Sequence, residues 1–358
     1  MGIDDNVDDL AYPSVVASPE YKIKQGDARD LPLDDDSVDL IITSPPYFQK
    51  RDYGLDDQIG QEGSVSEYID SLMDCLDEWE RVLRDTGTIF LNIGDKYKNL
   101  SKMGIPWKVA QAARDQGWNV RNEILWQKTN GVPTSADDRF HSRHEWIFFL
   151  SPPESDYYFD DHGYKERYGE PLDVWEIPHD QNEEHLAPYP TELAERCLVA
   201  ACPPAVCLEC GSPRRRIVEQ NITELDTDRY QSKRAMEIYE ESDLTEEHIK
   251  AIRATGISDA GKGKIVQNGT GKNSSEIEKK AKEAKEVLGG YFREFTFNQI
   301  KQEGGWSKCD CECDTVSGKV LDPFCGSGTT IDAAGNLGFS GVGVDLDPPE
   351  KERKIEQF

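Results

Sequence analysis

The stretch Lys319-Val320-Leu321-Asp322-Pro323-Phe324-Cys325-Gly326-Ser327-Gly328-Thr329-Thr330 decides the fold. A short strand ends on a carboxylate, a Gly-Ser-Gly turn follows, and a helix begins at Thr329. Glycine suits the turn because a side chain there would block close approach of the backbone to a ligand. No lysine follows the glycines as it does in a P-loop, which argues against a nucleoside triphosphate. Gly341-Val342-Gly343-Val344 reads as the next strand and ends on Asp345, where a carboxylate can accept hydrogen bonds from both ribose hydroxyls. Near the other end of the chain, Val38-Asp39-Leu40-Ile41-Ile42 leads into Thr43-Ser44-Pro45-Pro46-Tyr47. Both motifs are therefore expected at carboxyl ends of strands, the edge where open α/β sheets bind ligands.

Between them the hydrophobic period alternates. Tyr21 to Asp27, Thr88 to Asp95, Glu123 to Trp126 and Trp146 to Leu150 read as strands; Tyr68, Leu72, Cys75, Leu76, Trp79, Val82 and Leu83 form a helical stripe, and Pro106 to Gln116 a second helix. The alternation predicts a Rossmann-like, doubly wound α/β sheet. Residues 1–20 read as an acidic, loosely held arm, and residues 21–204 with 315–358 as the sheet domain. Residues 205–314 differ: they are charged, rich in lysine toward Lys285, interrupted by glycines, and contain a capped helix from Ser274 to Leu288. They read as an inserted α/β or mainly helical module.

The 358 residues include 69 acidic and 41 basic ones, a net charge of -28. Such a balance ordinarily argues against a nucleic-acid partner, because binding phosphate requires positive charge. Concentrated salt removes the objection, since it screens charge within about 3 Å at 1 M, and an acidic but well-patterned globular chain suits a halophile. Seven Trp and 14 Tyr argue against a disordered acidic protein. No apolar run approaches bilayer length and no leader-like segment follows Met1, so a cytoplasmic protein without a membrane partner is expected.

Nine cysteines in a reducing compartment suggest metal ligands or buried thiols rather than disulfides. Cys207-Leu208-Glu209-Cys210-Gly211 has the form of a zinc knuckle, and Cys309-Asp310-Cys311-Glu312-Cys313 is its complement. Cys207, Cys210, Cys309 and Cys311 would close a tetrahedral structural zinc site, with Cys313 in reserve. Free thiols are the alternative. A catalytic zinc is disfavoured because no histidine lies nearby in sequence, and Cys75, Cys197, Cys202 and Cys325 read as small packing groups.

Together, Ser44-Pro45-Pro46-Tyr47 and Asp322 to Thr330 resemble the motifs of S-adenosylmethionine-dependent amino-methyltransferases of DNA. Their order, proline motif first, is similar to the permuted β class, in the form of the modification methylases of haloarchaea. Trp126 to Ser135, Asp138-Arg139-Phe140, His144-Glu145, Tyr157 to Asp160 and Asp173-Val174-Trp175 extend the resemblance over roughly 20–205 and 315–347. It implies S-adenosylmethionine beside Asp322, Phe324, Gly326, Ser327, Gly328 and Thr329. It also implies that Pro188, in His185-Leu186-Ala187-Pro188-Tyr189-Pro190, precedes a helix over the methionine end.

An exocyclic amino group is a poor nucleophile because its lone pair is delocalised into the ring. It must be held and aligned; the Ser44 hydroxyl and the Pro45 carbonyl can accept its hydrogens, Pro46 stiffens the loop, and Tyr47 offers a face to an extruded base. Gln49, Lys50, Arg51 and Tyr53, in a stretch that reads as a loop closing on the target, and Arg139 are the expected contacts to double-stranded DNA. Ser before Pro-Pro-Tyr is commoner among family members that methylate cytosine N4, and no cysteine follows the prolines as in enzymes that attack cytosine C5. The implied activity is N4-cytosine methylation, with N6-adenine methylation or a catalytically silent zinc-bearing DNA-binding regulator as alternatives. A cognate restriction endonuclease is a candidate partner.

Overall fold

The computed structural model describes residues 13–130, 137–179, 189–220, 225–256, 275–297, 301–311 and 313–348. The chain runs through β1 (Tyr21–Gln25), β2 (Val38–Thr43), α1 (Val65–Val82), β3 (Leu83–Ile93), the two-residue strands β4 (Tyr97–Lys98) and β5 (Ser101–Lys102), α2 (Ile105–Asp115), β6 (Asn119–Lys128) and β7 (His144–Ser151). Next come α3 (Asp161–Tyr168), β8 (Val174–Ile177), α4 (Thr191–Ala201) and β9 (Val206–Cys207). These are followed by β10 (Arg216–Gln220), α5 (Tyr230–Glu240), α6 (Glu246–Thr255), α7 (Ser275–Leu288), a 3-10 turn at Gly289–Tyr291, α8 (Phe292–Phe297) and β11 (Lys301–Trp306). β12 (Thr315–Val316), β13 (Lys319–Asp322), α9 (Thr329–Leu337) and β14 (Ser340–Asp345) complete the order.

Eight strands form one sheet in the order β1-β14-β13-β2-β3-β7-β6-β8. All neighbours pair in parallel except β7, which is antiparallel to both β3 and β6. From β13 the chain passes through α9 to β14 on one side, and from β2 through α1 to β3 on the other. The order therefore reverses between β13 and β2, which pair directly through Val320 with Leu40 and Leu321 with Ile41. Such a reversal opens a crevice at the carboxyl ends of the two strands.

Period-two alternation supplies both faces of the sheet. Ile41, Phe148 and Leu150 point toward the cluster built by α1 and α2, whereas Leu40, Ile42, Ile147 and Phe149 point toward the cluster containing α4 and α9. α1 starts at a reciprocal cap: Ser64 Oγ accepts from Glu67 N–H at 3.2 Å, and the Glu67 carboxylate accepts from Ser64 N–H at 3.0 Å. Its buried stripe is Tyr68, Leu72, Met73, Cys75, Leu76, Trp79 and Val82. Glu123 to Trp126, read as a strand, lies in the longer β6, which carries a register shift between Val120 and Asn122.

Contacts divide the chain into two units, one that ends at Arg215 and resumes at Trp306 and another of Arg216–Gly305. The second unit is narrower than the 205–314 expected, and it leaves all the clustered cysteines in the first. By itself it is mainly helical, with Leu225, Ala235, Ile249, Ile252, Ala284, Leu288 and Phe295 as its core. The described part of the N-terminal arm is tied down: Val16 N–H donates to the Thr315 carbonyl at 2.9 Å and Thr315 Oγ1 to the Ser14 carbonyl at 2.6 Å. Among the described residues, no helix is long and apolar enough to cross a membrane.

Candidate active site

The crevice at the reversal is a cavity of about 740 Å³, and the two sequence motifs share it. Ser44, Pro45, Pro46 and Tyr47 line it from the end of β2; Asp322, Phe324, Gly326, Ser327 and Thr329 line it from the end of β13, and Asp345 from the end of β14. Lys50, Arg51 and Tyr53 line it from the loop after Tyr47. Gly328 does not line it, but its φ of 85° makes the left-handed N-cap of α9. Gln49 and Arg139 lie outside the lining; Gln49 N–H instead donates to the Gly60 carbonyl at 2.6 Å, closing the loop on itself. Pro188 and Gly131 to Ser135 lie outside the described residues.

The glycine loop is held by its own strand-turn-helix together with its immediate neighbours β2, β14 and Tyr189. Asp322 is 3% exposed, and its carboxylate accepts from Thr43 Oγ1 at 2.8 Å, Thr330 Oγ1 at 2.6 Å, Tyr189 hydroxyl at 2.9 Å and Phe324 N–H at 3.1 Å. These bonds are internal, so Asp322 braces the loop against the end of β2. Burial pushes its pKa above the ordinary aspartate value even though each of these donors opposes the shift. Asp345 accepts from Gly326 N–H at 2.9 Å and, through its other oxygen, from Asp347 N–H at 3.0 Å. Each oxygen retains a lone pair for a further donor.

The proline loop is held by groups from far along the chain. Ser44 Oγ donates to the Tyr47 hydroxyl at 3.2 Å, and the Tyr47 hydroxyl donates to Glu145 Oε2 at 2.8 Å. Asn92 Nδ2, on β3, lies 3.0 Å from the Tyr47 hydroxyl, 3.2 Å from Glu145 Oε2 and 3.4 Å from Ser44 Oγ. Lys128 Nζ, at the end of β6, pairs with Glu145 Oε1 at 2.6 Å. The antiparallel pairing of β7 with β6 brings these elements together. Burial alone would raise the Glu145 pKa, but the Lys128 ammonium and the hydrogen bonds from Lys128 and Tyr47 hold it below the ordinary glutamate value. Glu145 thus stays ionised and makes a weak proton acceptor but a strong orienting one. Burial, and then the Glu145 charge, push the Tyr47 phenol well above its ordinary pKa, so it remains a donor.

Gly94 makes room for this arrangement, since a Cβ there would lie 2.5 Å from Tyr47 Cε2. The Lys50 ammonium sits 4.7 Å from the Tyr47 ring centroid, so that face meets a base only once the Lys50 chain swings aside. Sequence reasoning passed over Asn92, Gly94, Lys128 and Glu145 as site residues. The available signals were an asparagine and a glycine ending an otherwise apolar strand, and the Lys and His-Glu within the resembling segments. It also passed over Asp27 and Arg29, paired at 2.6 Å and lining the cavity after β1.

The model of the DNA methylase family of N6 and N4 enzymes matches residues 38–207. The chain is 35% identical to the type II methyltransferase M.SmaI of Serratia marcescens over 224 residues, which span 51% of this chain and 76% of that protein. It is 34% identical to M.Cfr9I of Citrobacter freundii over 221 residues, 50% of this chain and 72% of that one. The chain belongs to the N6/N4 DNA amino-methyltransferases. The methyltransferase also shares its fold with a solved structure of the PvuII DNA methyltransferase, a cytosine-N4-specific enzyme: 13% identity, a TM-score of 0.51, and 94% of this chain and 86% of that one covered.

At the methyltransferase's other cluster, the sulfur atoms of Cys207, Cys210, Cys309 and Cys311 lie within 4.8 Å of one another. The pairing of β9 with β12, Cys207 opposite Thr315, draws the two cysteine segments together. Gly211, with φ 68°, donates its N–H to the Cys207 carbonyl at 3.0 Å and makes the tight turn behind the first pair. Cys313 Sγ is 2.9 Å from Cys207 Sγ. Cys75, Cys197, Cys202 and Cys325 are buried elsewhere.

Proposed function

We propose that the protein is a site-specific methyltransferase that moves the methyl group of S-adenosylmethionine to the exocyclic N4 of a cytosine extruded from duplex DNA. The observation that carries this reading is the shared cavity, which sets the Ser44 loop and the Gly326 loop side by side at the reversal of the sheet. Its lining fits the cofactor: the left-handed Gly326 to Gly328 turn opens the N-terminus of α9 toward a carboxylate, Asp345 has acceptor capacity for ribose hydroxyls, and Phe324 offers an apolar wall. When bound, S-adenosylmethionine supplies a methyl group on a sulfonium as electrophile. The chain's own task is alignment. Ser44 Oγ, its hydrogen directed to Tyr47, presents a lone pair to the amino group, the Pro45 carbonyl presents another, and Glu145 fixes both Tyr47 and, through it, Ser44.

The serine ahead of Pro-Pro-Tyr favours cytosine N4, and N6-adenine is the second reading on the same architecture. Nucleoside mass spectrometry of DNA from a methylase-free host expressing the protein tests it. N4-methylcytosine is expected, N6-methyladenine moves the assignment to the second reading, and 5-methylcytosine overturns the alignment mechanism.

We also propose a structural zinc on Cys207, Cys210, Cys309 and Cys311. Four thiolates around one zinc with bonds of about 2.3 Å stand roughly 3.8 Å apart, which the cluster can reach with small shifts. Metal analysis of the purified protein and of a Cys207→Ser, Cys210→Ser double variant checks this; a folded, active, metal-free wild type removes it. The 216–305 unit is proposed to help recognise the target site. The acid excess is proposed to adapt the protein to concentrated salt, with maximal activity in molar potassium chloride as the expected result. A cognate endonuclease would place the enzyme in a restriction-modification pair.

A further inference from the structure

The hairpin β4–β5 projects from a firm base. Asp95 caps the following helix, accepting from Gly104 N–H and Ile105 N–H, both at 3.2 Å, and Met103 N–H donates to the Lys96 carbonyl at 2.9 Å. The base is joined to the proline loop: Lys96 Nζ donates to the Gln49 carbonyl at 2.7 Å, two residues beyond Tyr47.

In a chain of net charge -28, residues 96–108 carry Lys96, Lys98, Lys102 and Lys108 and no Asp or Glu. A second basic stretch, Arg139 to Arg143, meets the first where the Arg139 guanidinium, paired with Asp138 at 2.7 Å, lies 4.4 Å from the Tyr97 ring centroid, so the lysines of the hairpin carry the charge of the patch. The tip is Asn99-Leu100 with φ of 50° and 68°, the positive pair of a type I′ turn. Asparagine tolerates that conformation, whereas leucine does so poorly, and glycine would serve better. The leucine is nonetheless 87% exposed and contributes little to any core. An apolar side chain kept at a strained, solvent-facing tip between lysines suits a surface that becomes buried on binding.

We propose that this hairpin enters duplex DNA beside the target base, with Lys98 and Lys102 on phosphates and the Leu100 side chain inserted into the base stack. The proposal rests on the DNA methyltransferase reading. Inserted apolar wedges stabilise a distorted stack, and an enzyme that extrudes a base leaves a gap that such a wedge can fill. The charge of the patch opposes that of the whole chain and matches phosphate, which favours nucleic acid over a protein partner.

The test uses the full chain and two duplexes containing its methylation site as mapped by base-resolution sequencing. One duplex has the target base paired, and in the other the opposite base is a mismatch that already loosens it. Leu100→Ala is expected to slow methylation of the paired duplex at least tenfold, to recover most of that rate on the mismatched duplex, and to leave S-adenosylmethionine affinity unchanged. Leu100→Gly should lose activity in the same pattern while its thermal midpoint stays level or rises, because glycine relieves the backbone. Lys98→Ala with Lys102→Ala should lower the slope of log affinity against log salt by about 2, near 0.9 per phosphate contact. Wild-type rates for Leu100→Ala on the paired duplex, or an equal loss on both duplexes, would remove the wedge. A wild type that methylates no DNA at all would instead overturn the parent reading, and the wedge with it.

Discussion

The proline loop and the glycine loop begin alike, each at the carboxyl end of a parallel strand, yet they are braced differently. The glycine loop is stabilised partly from within its own strand-turn-helix, where Asp322 binds Thr330 and Phe324 N–H, and partly by Thr43, Tyr189 and the adjacent β14, whose Asp345 carboxylate and Val344 carbonyl accept from Gly326 and Cys325 N–H. The proline loop contributes Ser44 and Tyr47, but Asn92, Lys128 and Glu145 come from three other strands. A loop whose own motif supplies part of its bracing, as Phe324 N–H and Thr330 do for Asp322, can be recognised from that motif. One braced by the sheet is recognisable only in part, and its supports should be the more sensitive points.

The largest effect is expected at Glu145. Glu145→Ala leaves the Lys128 ammonium, 19% exposed, without its carboxylate, and frees the Tyr47 hydroxyl. Breaking such a buried pair costs about 3 kcal/mol of stability, and misplacing an aligned group by about 1 Å can cost roughly a hundredfold in rate. Denaturant unfolding and single-turnover methylation measure the two losses, while cofactor affinity should not change. If affinity falls with the rate, the two loops are not braced independently.

Asp345→Ala reverses the pattern. Removing an acceptor for ribose hydroxyls should weaken S-adenosylmethionine binding by about 1.5 to 3 kcal/mol, with the fold intact. Calorimetric titration reads it, and unchanged affinity refutes the assignment. Gly94→Ala should have a smaller effect, confined to the proline loop. Its Cβ would stand 2.5 Å from Tyr47 Cε2 and force the ring to shift, at about 1 to 3 kcal/mol. The turnover rate should fall and cofactor affinity hold, and crystals of the variant should show the Tyr47 hydroxyl moved off Glu145.

What was legible in the sequence follows the same division. β2, β13 and β14 were readable because each is an apolar run ending in a polar or glycine punctuation, and the α1 stripe because its period fits a helix. The pairing of the Cys207 and Cys309 segments was readable because ligand spacing is local on each side. Glu145 was not readable as a site residue: its role depends on the antiparallel placement of β7 against β6, which puts it opposite Trp126 and within reach of Lys128. Nor does local spacing indicate that Asp322 spends its hydrogen bonds inward, because Thr43 and Tyr189 are distant in sequence.

The smallest effects, and the finest test of the comparison, are in pH. Glu145 and Asp322 are both buried carboxylates, but the first has a cation beside it and the second only neutral donors. The folded pKa of Glu145 lies below the ordinary 4.5, so at intermediate pH the unfolded chain binds the extra proton and stability rises with pH. Its contribution is fully present above about 4.5 and is lost as pH falls through the lower, folded value. The folded pKa of Asp322 lies above the ordinary 3.8, so there the folded chain binds the extra proton and stability falls as pH rises through that window. Urea unfolding of the wild type and of Glu145→Gln at a series of pH values should give two curves that converge on acidification below 4.5, because the neutral glutamine cannot titrate. Asp322→Asn should do the opposite: the stability of the wild type relative to this variant should rise on acidification, as the wild type regains the stability that the buried charge had cost. A fall in the wild type's stability relative to both variants on acidification would mean that Asp322, like Glu145, is stabilised in its charged form, and that the glycine loop receives electrostatic support from beyond its own hydrogen bonds.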